Sequence, residues 1–95
     1  MTKTLSINNK QISIELTSHF LKRITERNIS LSNLQIDSNI LTNILNSEYK
    51  KHIIKNLLHN ITIIIKKDSP QKIAFITAMS GLFCDCNNAN VINLH

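Results

Sequence analysis

The chain has 95 residues, the length of a single domain, and 42% of them are apolar, which is typical of a globular protein. No run of apolar residues approaches the ~20 that a membrane-spanning helix needs. The composition therefore excludes a membrane-spanning protein, a collagen, a coiled coil and a disulfide-rich mini-protein, and it predicts one domain over residues 1–95.

The charge balance favours an anionic partner. Eleven Lys and Arg against six Asp and Glu give a formal net charge of +5, which most often indicates nucleic acid and otherwise a membrane surface or an acidic protein. The 13 Asn, 17 Ile and nine Lys are also what an AT-rich genome encodes, so codon use explains part of the lysine excess. Arginine is scarce, and Arg23 and Arg27 lie one helical turn apart.

The two cysteines, Cys84 and Cys86, form a C-x-C pattern. Residues two apart rarely close an unstrained disulfide, and a structural zinc site needs four ligands at other spacings. We expect both thiols to be reduced, which places the domain's site of action in the cytoplasm.

The chain begins with a predicted β-hairpin. Alternating apolar residues on both sides of Asn8 and Asn9 indicate two strands, and the Asn pair suits the positive φ angles of a tight turn.

Two helical stretches are predicted next. Thr17-Ser18 offers an N-cap for a helix from His19 to Asn28, where Asn28 is a plausible stop. Ser30 can cap a second stretch that carries Leu31, Leu34, Ile40, Leu41, Ile44 and Leu45, with a break near Asp37-Ser38. Residues 48–59 fit either a helix or the start of a strand.

The second half of the chain predicts strands. Residues 61–67 and 72–80 are β-rich and flank a turn at residues 68–71, Gly81 marks a bend, and residues 91–94 fit a short edge strand. Strict alternation in the second strand places Thr77 on the same face as Phe75. The predicted fold class is α+β, with two or more N-terminal helices packed on one face of an antiparallel sheet.

The first helix carries the strongest functional pattern. His19, Arg23 and Arg27 recur every four residues, so they form one stripe along the border of the buried face. Arginine binds phosphate with a planar fork, and histidine titrates near neutral pH, so the set has the groups that metal-free RNA cleavage needs. The alternative interpretation is an ordinary solvated basic face.

Further residues extend this hypothesis. Thr77 is a candidate donor to a substrate phosphate across the sheet, although threonine is also simply at home in strands. The candidate RNA-binding residues are Arg27, Lys22, Lys66, Lys67 and Lys72, whereas a solubilising role explains the lysines equally well. The six acidic residues are scattered singly, so we expect no metal site and no cofactor.

The segment 16–30 resembles a known family opening, because it carries the spacing H-x-x-x-R-x-x-x-R-x-I-S. This helix is similar to that of small toxin domains of the barnase–EndoU–colicin–RelE (BECR) group, and residues 72–77 resemble the group's closing strand. The similarity covers roughly residues 14 to 80. His19 and Arg23 match the motif most directly, followed by Arg27 and Thr77, and Asn28 stands where the family usually has Gly.

The resemblance implies a small metal-independent endoribonuclease toxin with His19, Arg23 and Thr77 as catalytic residues. It implies RNA as substrate, with transfer RNA as a candidate, and an acidic immunity or antitoxin protein as partner. The chain would then act in the cytoplasm, either as a stand-alone toxin or as the C-terminal part of a secreted effector. The alternative is a non-catalytic nucleic-acid-binding or phage-type accessory module.

Overall fold

The computed structural model describes residues 1–30, 36–82 and 88–94. In this part of the chain two strands precede two helices, and four strands follow them. The elements are β1 Thr2–Ile7, β2 Lys10–Leu16, α1 Ser18–Glu26, α2 Ser38–Asn46, β3 Lys51–Asn56, β4 Ile61–Ser69, β5 Lys72–Ser80 and β6 Ala89–Leu94.

The strands form one mixed sheet in the order β1-β2-β5-β4-β3-β6. The pairs β2–β5 and β3–β6 are parallel, and the other neighbours are antiparallel. The predicted fold class, with N-terminal helices on an antiparallel sheet, is therefore wrong. The chain begins with a hairpin of β1 and β2. Strand β2 pairs in parallel with β5, and two helices and two strands lie between β2 and β5 in the sequence.

The first hairpin agrees with its prediction. Asn8 and Asn9 adopt φ angles of 52° and 66°, as the two central residues of a type I′ turn do. The six residue pairs of β1 and β2 run in register from the turn to the N-terminus.

Helix α1 begins at the predicted cap and is fixed to β5 there. The Thr17 hydroxyl oxygen accepts a hydrogen bond from the Phe20 amide at 3.1 Å and donates to the Phe75 carbonyl at 2.7 Å. The rings of Phe20 and Phe75 meet edge to face, with centroids 5.3 Å apart. These contacts set α1 against β5.

The end of α1 is a Schellman motif around Asn28, which has φ 54°. The Asn28 amide donates to the Thr25 carbonyl, and the Ile29 amide donates to the Ile24 carbonyl at 2.9 Å. Glycine and asparagine tolerate this left-handed conformation best, so the predicted stop at Asn28 is confirmed.

Helix α2 begins where a break was predicted. The Asp37 carboxylate caps it by accepting a hydrogen bond from the Ile40 amide at 3.0 Å. Its buried residues are Leu41 and Ile44. Leu31 and Leu34, which were predicted to belong to the same stretch, lie outside the described residues, as do Cys84 and Cys86.

Residues 48–59, which fit either a helix or the start of a strand, contain the strand β3. Ile53 and Ile54 are both buried although they point to opposite faces of the sheet. Residues buried on both faces produce a continuous apolar pattern that a helix can also show. The predicted strand β6 is confirmed at the edge of the sheet, and Gly81 has φ 95° at the predicted bend.

The main core lies between the two helices and one face of the sheet, which we call the helix face. It is almost entirely aliphatic, as 28 Ile and Leu residues predict. Its buried members are Ile7, Ile12, Ile14, Leu16, Phe20, Ile24, Leu41, Ile44, Ile54, Ile61, Ile63, Ile65, Ile73, Phe75 and Ala78.

Strand β5 contains an irregularity that inverts its faces. Ile64 pairs with Thr77 but Ile65 pairs with Phe75, so Ile76 is an extra residue on β5. Beyond it Ala78, rather than Thr77, points into the core. The prediction that Thr77 shares a face with Phe75 is wrong for this reason.

None of the helices in the described ranges is both long enough and apolar enough to cross a membrane.

Candidate functional site

Two residues of the predicted stripe, His19 and Arg23, contact each other on α1. The Arg23 Nε group donates to His19 Nε2 at 3.4 Å, and Arg23 Nη1 lies 3.1 Å from Glu26 Oε2. One guanidinium therefore contacts an imidazole and a carboxylate on adjacent turns. We call these three residues the α1 triad.

Sequence reasoning missed Glu26 in this set. It lies three residues after Arg23 and four after Lys22, whose Nζ is 3.9 Å from Glu26 Oε1. The i, i+3 and i, i+4 spacings predict such contacts on any helix, so the signal was present in the sequence.

The α1 triad is open to solvent. The side chains of Arg23 and Glu26 keep 38% and 43% of their surface exposed. Ion pairs in such positions contribute only about 0–1 kcal/mol to stability. A ligand can therefore displace these contacts at little energetic cost.

Arg27, the last residue of the stripe, points to a different place. Its Nη1 group donates to the Ala78 carbonyl on β5 at 2.7 Å. It lies eight residues after His19, which is about 12 Å along a helix axis. His19 and Arg27 therefore do not act on the same atom.

Arg27 lines a polar cavity of about 350 Å³, which we call the Arg27 cleft. The end of α1, the turn between β3 and β4, and the end of β5 form its walls. The lining residues are Arg27, Asn28, Ile29, His59, Asn60, Ile61 and Ser80.

His59 is an exposed residue of the turn that follows β3. The turn after β3 brings it to the Arg27 cleft, where its amide donates to the Asn56 side-chain oxygen at 3.0 Å. The neighbouring Asn60 has φ 56°, and such an asparagine between two apolar segments is the sequence signal for this turn.

Three predicted site residues lie away from α1. Thr77, Lys66 and Lys72 belong to the sheet face opposite the helices, because their strand neighbours Ala78, Ile65 and Ile73 point into the core. Lys66 also lies 3.8 Å from Asp68. The structure therefore does not bring Thr77 to His19 and Arg23.

The Lys67 side chain contacts the backbone at the end of α2. Its Nζ donates to the Leu45 carbonyl at 3.2 Å and to the Ser47 carbonyl. A cation at this position satisfies unpaired carbonyls and complements the negative end of the α2 dipole. The contact stabilises the helix end and leaves Lys67 poorly placed for RNA.

His52 is fully buried and belongs to a polar network under α2. Its Nε2 group donates to the Tyr49 carbonyl at 2.9 Å, and Nδ1 accepts from the Asn90 amide, which also donates to Asn43. Burial lowers the pKa of His52, the bond to Tyr49 opposes that shift, and the charge of Lys67 lowers it further.

A second cavity, of about 150 Å³, lies between the first hairpin, α2 and Pro70. Lys10 is the one charged residue in its described lining, which also contains Ile7, Ile12 and Leu45. It lacks a described group that titrates near neutral pH, so it is a weaker candidate than the Arg27 cleft.

The described ranges contain no group of three or more His, Cys, Asp or Glu side chains arranged to hold a metal ion. Comparison of the chain with family models, with curated proteins and with solved structures finds no match. The function is therefore inferred from the geometry of α1 and of the cleft at its end.

Proposed function

We propose that this protein binds RNA along α1 and cleaves it by metal-independent acid–base transesterification. The observation that carries the proposal is the α1 triad, in which Arg23 contacts both His19 and Glu26. The resemblance of residues 16–30 to ribonuclease toxins supports the same chemistry.

The triad supplies the three functions that the reaction needs. A phosphodiester bound to the Arg23 guanidinium would lie between a carboxylate and an imidazole. Glu26 accepts the proton of the 2′-hydroxyl, whose oxygen attacks phosphorus. The phosphodiester takes the place of His19 at the Arg23 guanidinium, so His19 Nε2 is free to carry the proton that it gives to the departing 5′-oxygen. Arg23 stabilises the charge that develops on the phosphorane oxygens.

The test is cleavage of RNA by the purified chain in EDTA. We expect products with 2′,3′-cyclic phosphate ends, because the nucleophile belongs to the RNA. Glu26→Gln should slow cleavage strongly, whereas the control Thr25→Ala, on the same helix, should keep full activity. Cleavage that stops in EDTA and returns with magnesium would overturn the mechanism, and an inert chain would overturn the function.

A second candidate function is nucleic-acid binding without cleavage. The favouring observation is a set of lysines on the sheet face opposite the helices, where Lys51 pairs directly with Lys66. Lys55 and Lys72 lie on the same face. If a Lys66→Ala, Lys72→Ala double variant loses RNA binding while Arg23→Ala retains it, and the wild-type chain leaves RNA intact, this second function is preferred.

We further propose an acidic partner protein that protects the producing cell. An enzyme that cleaves RNA in the cytoplasm would damage its own host, and carboxylates can occupy the place of RNA phosphates over Arg23 and Arg27. Because charge complementarity mainly accelerates association, the association rate should fall as salt rises. Lys66 and Lys72 lie on the opposite face, so their substitution should not affect this complex.

A further inference from the structure

We propose that the Arg27 cleft is a phosphate-binding subsite for a nucleotide of the RNA strand. The inference rests on the proposed function, since it assigns a second contact to the same substrate. Arg27, His59 and Ser80 would hold the phosphate.

The chemistry of the described lining suits an anion. The cleft contains one guanidinium, one imidazole, one hydroxyl and the carboxamides of Asn28 and Asn60, and no carboxylate is among its described lining residues. Arginine offers five N–H donors, of which the Ala78 carbonyl takes one. The remaining donors can bind a phosphate with fork geometry.

The walls of the cleft are fixed before any ligand binds. The Schellman motif holds Asn28, the Gly81 amide donates to the Asn60 carbonyl at 2.7 Å, and the Ala78 carbonyl orients Arg27. Groups that are already ordered lose little conformational entropy when a ligand arrives.

Four backbone carbonyl groups near the cleft already accept hydrogen bonds. At the end of α1 the carbonyls of Arg23, Ile24 and Thr25 accept hydrogen bonds from the Arg27, Ile29 and Asn28 amides. The Ala78 carbonyl accepts from Arg27. The negative end of the helix dipole is therefore partly compensated where the cleft opens.

The position of the cleft relates it to the α1 triad. Arg27 follows Arg23 by one helical turn, and both belong to the stripe that begins at His19. A strand that presents one phosphate to Arg23 can therefore extend along α1 toward Arg27. The volume of about 350 Å³ is within the range of small-ligand sites, roughly 300–1,000 Å³.

The experiment is an NMR titration of the isotope-labelled chain with a ribonucleoside 3′-monophosphate and, separately, with inorganic phosphate. We expect chemical-shift changes at the Asn28, Asn60 and Gly81 amides and at the His59 ring, with tighter binding of the nucleotide. Equal binding of both probes would identify free phosphate as the ligand and overturn the assignment to RNA. Shifts elsewhere, or none, would overturn the subsite itself.

Single substitutions define which groups bind. Arg27→Met and His59→Ala should each weaken nucleotide binding, Arg27→Met by about tenfold or more because a hydrogen bond to a charged group is lost. Two matched controls should bind normally: Leu58→Ala changes an exposed residue of the same turn, and Lys3→Ala removes an exposed cation of β1. A thermal midpoint for each variant verifies folding, and unchanged binding in both cleft variants would refute the proposal.

The binding experiment tests the phosphate subsite, and the cleavage experiment tests the proposed function. If the cleft binds the nucleotide but the chain never cleaves RNA, the proposed function fails and the phosphate site stands. If the chain cleaves RNA while the signals of the cleft do not respond to nucleotide, the subsite alone is refuted.

Discussion

A histidine and an arginine lie near each end of α1, in different surroundings. At the N-terminal half, His19 and Arg23 lie on an open surface beside Glu26. At the C-terminal end, Arg27 and His59 both line a cleft whose described lining has no carboxylate. In the proposed function, the first place serves proton transfer and the second anchors a phosphate.

The spacing of charged residues in the sequence does not reveal which groups surround Arg23 and Arg27. A carboxylate can act as a base, but it also repels an anion, so a group that only anchors a phosphate is better placed without one. The regular spacing of the stripe suggests one site, whereas Arg23 contacts residues of its own helix and Arg27 contacts β5.

The largest expected effect is loss of chemistry at the α1 triad. His19→Ala should abolish cleavage, and Arg23→Ala should lower the single-turnover rate about 10²–10³-fold, as the loss of one transition-state donor does. Both residues contribute little to folding, so thermal midpoints should hardly change. Full activity of His19→Ala, measured on a gel with the same RNA, would remove His19 from the mechanism.

A smaller effect concerns His52, which is buried, whereas His19 and His59 are exposed. His52→Gln should destabilise the chain by about 1–3 kcal/mol at pH 8, because it disturbs the bonds to Tyr49 and Asn90. The measurement is urea unfolding.

The same residue predicts a pH dependence. Since the pKa of His52 is lowered in the folded state, the unfolded chain binds more protons. Stability is therefore complete above the ordinary histidine pKa and falls as pH decreases below it. Urea midpoints from pH 8 to pH 5 should fall more steeply for the wild type than for His52→Gln, and equal slopes would contradict this account.

The smallest effect compares two adjacent lysines on opposite faces. Lys67→Met should cost about 1 kcal/mol because the end of α2 loses its cation. Lys66→Met, on the other face, should change stability by no more than about 0.5 kcal/mol. Equal thermal midpoints for the two variants would show that the contact of Lys67 contributes nothing.

Local patterns predicted most of the elements but not their assembly. The turn at Asn8-Asn9, the cap at Thr17 and the stop at Asn28 depend on nearby residues, and all three were predictable. The parallel pairing of β2 with β5 depends on residues nearly sixty positions apart, for which the sequence has no local signal.

The candidate site was likewise predictable only where its contacts are local in the sequence. The contact of His19 with Arg23 follows from helical spacing, so it was predictable. The extra residue Ile76 moves Thr77 to the other face, and strict alternation cannot reveal such a shift. His59 and Arg27 line the same cleft only because of the fold, since different elements carry the two residues.

The most direct test of the division between the two ends is a single-turnover comparison of His19→Ala with His59→Ala on one RNA substrate. The account predicts that His19→Ala lowers the rate at saturating protein without weakening RNA binding. His59→Ala should weaken RNA binding and leave the saturating rate unchanged. The reverse pattern, with the rate lost in His59→Ala and binding lost in His19→Ala, would place the chemistry in the cleft and contradict the account.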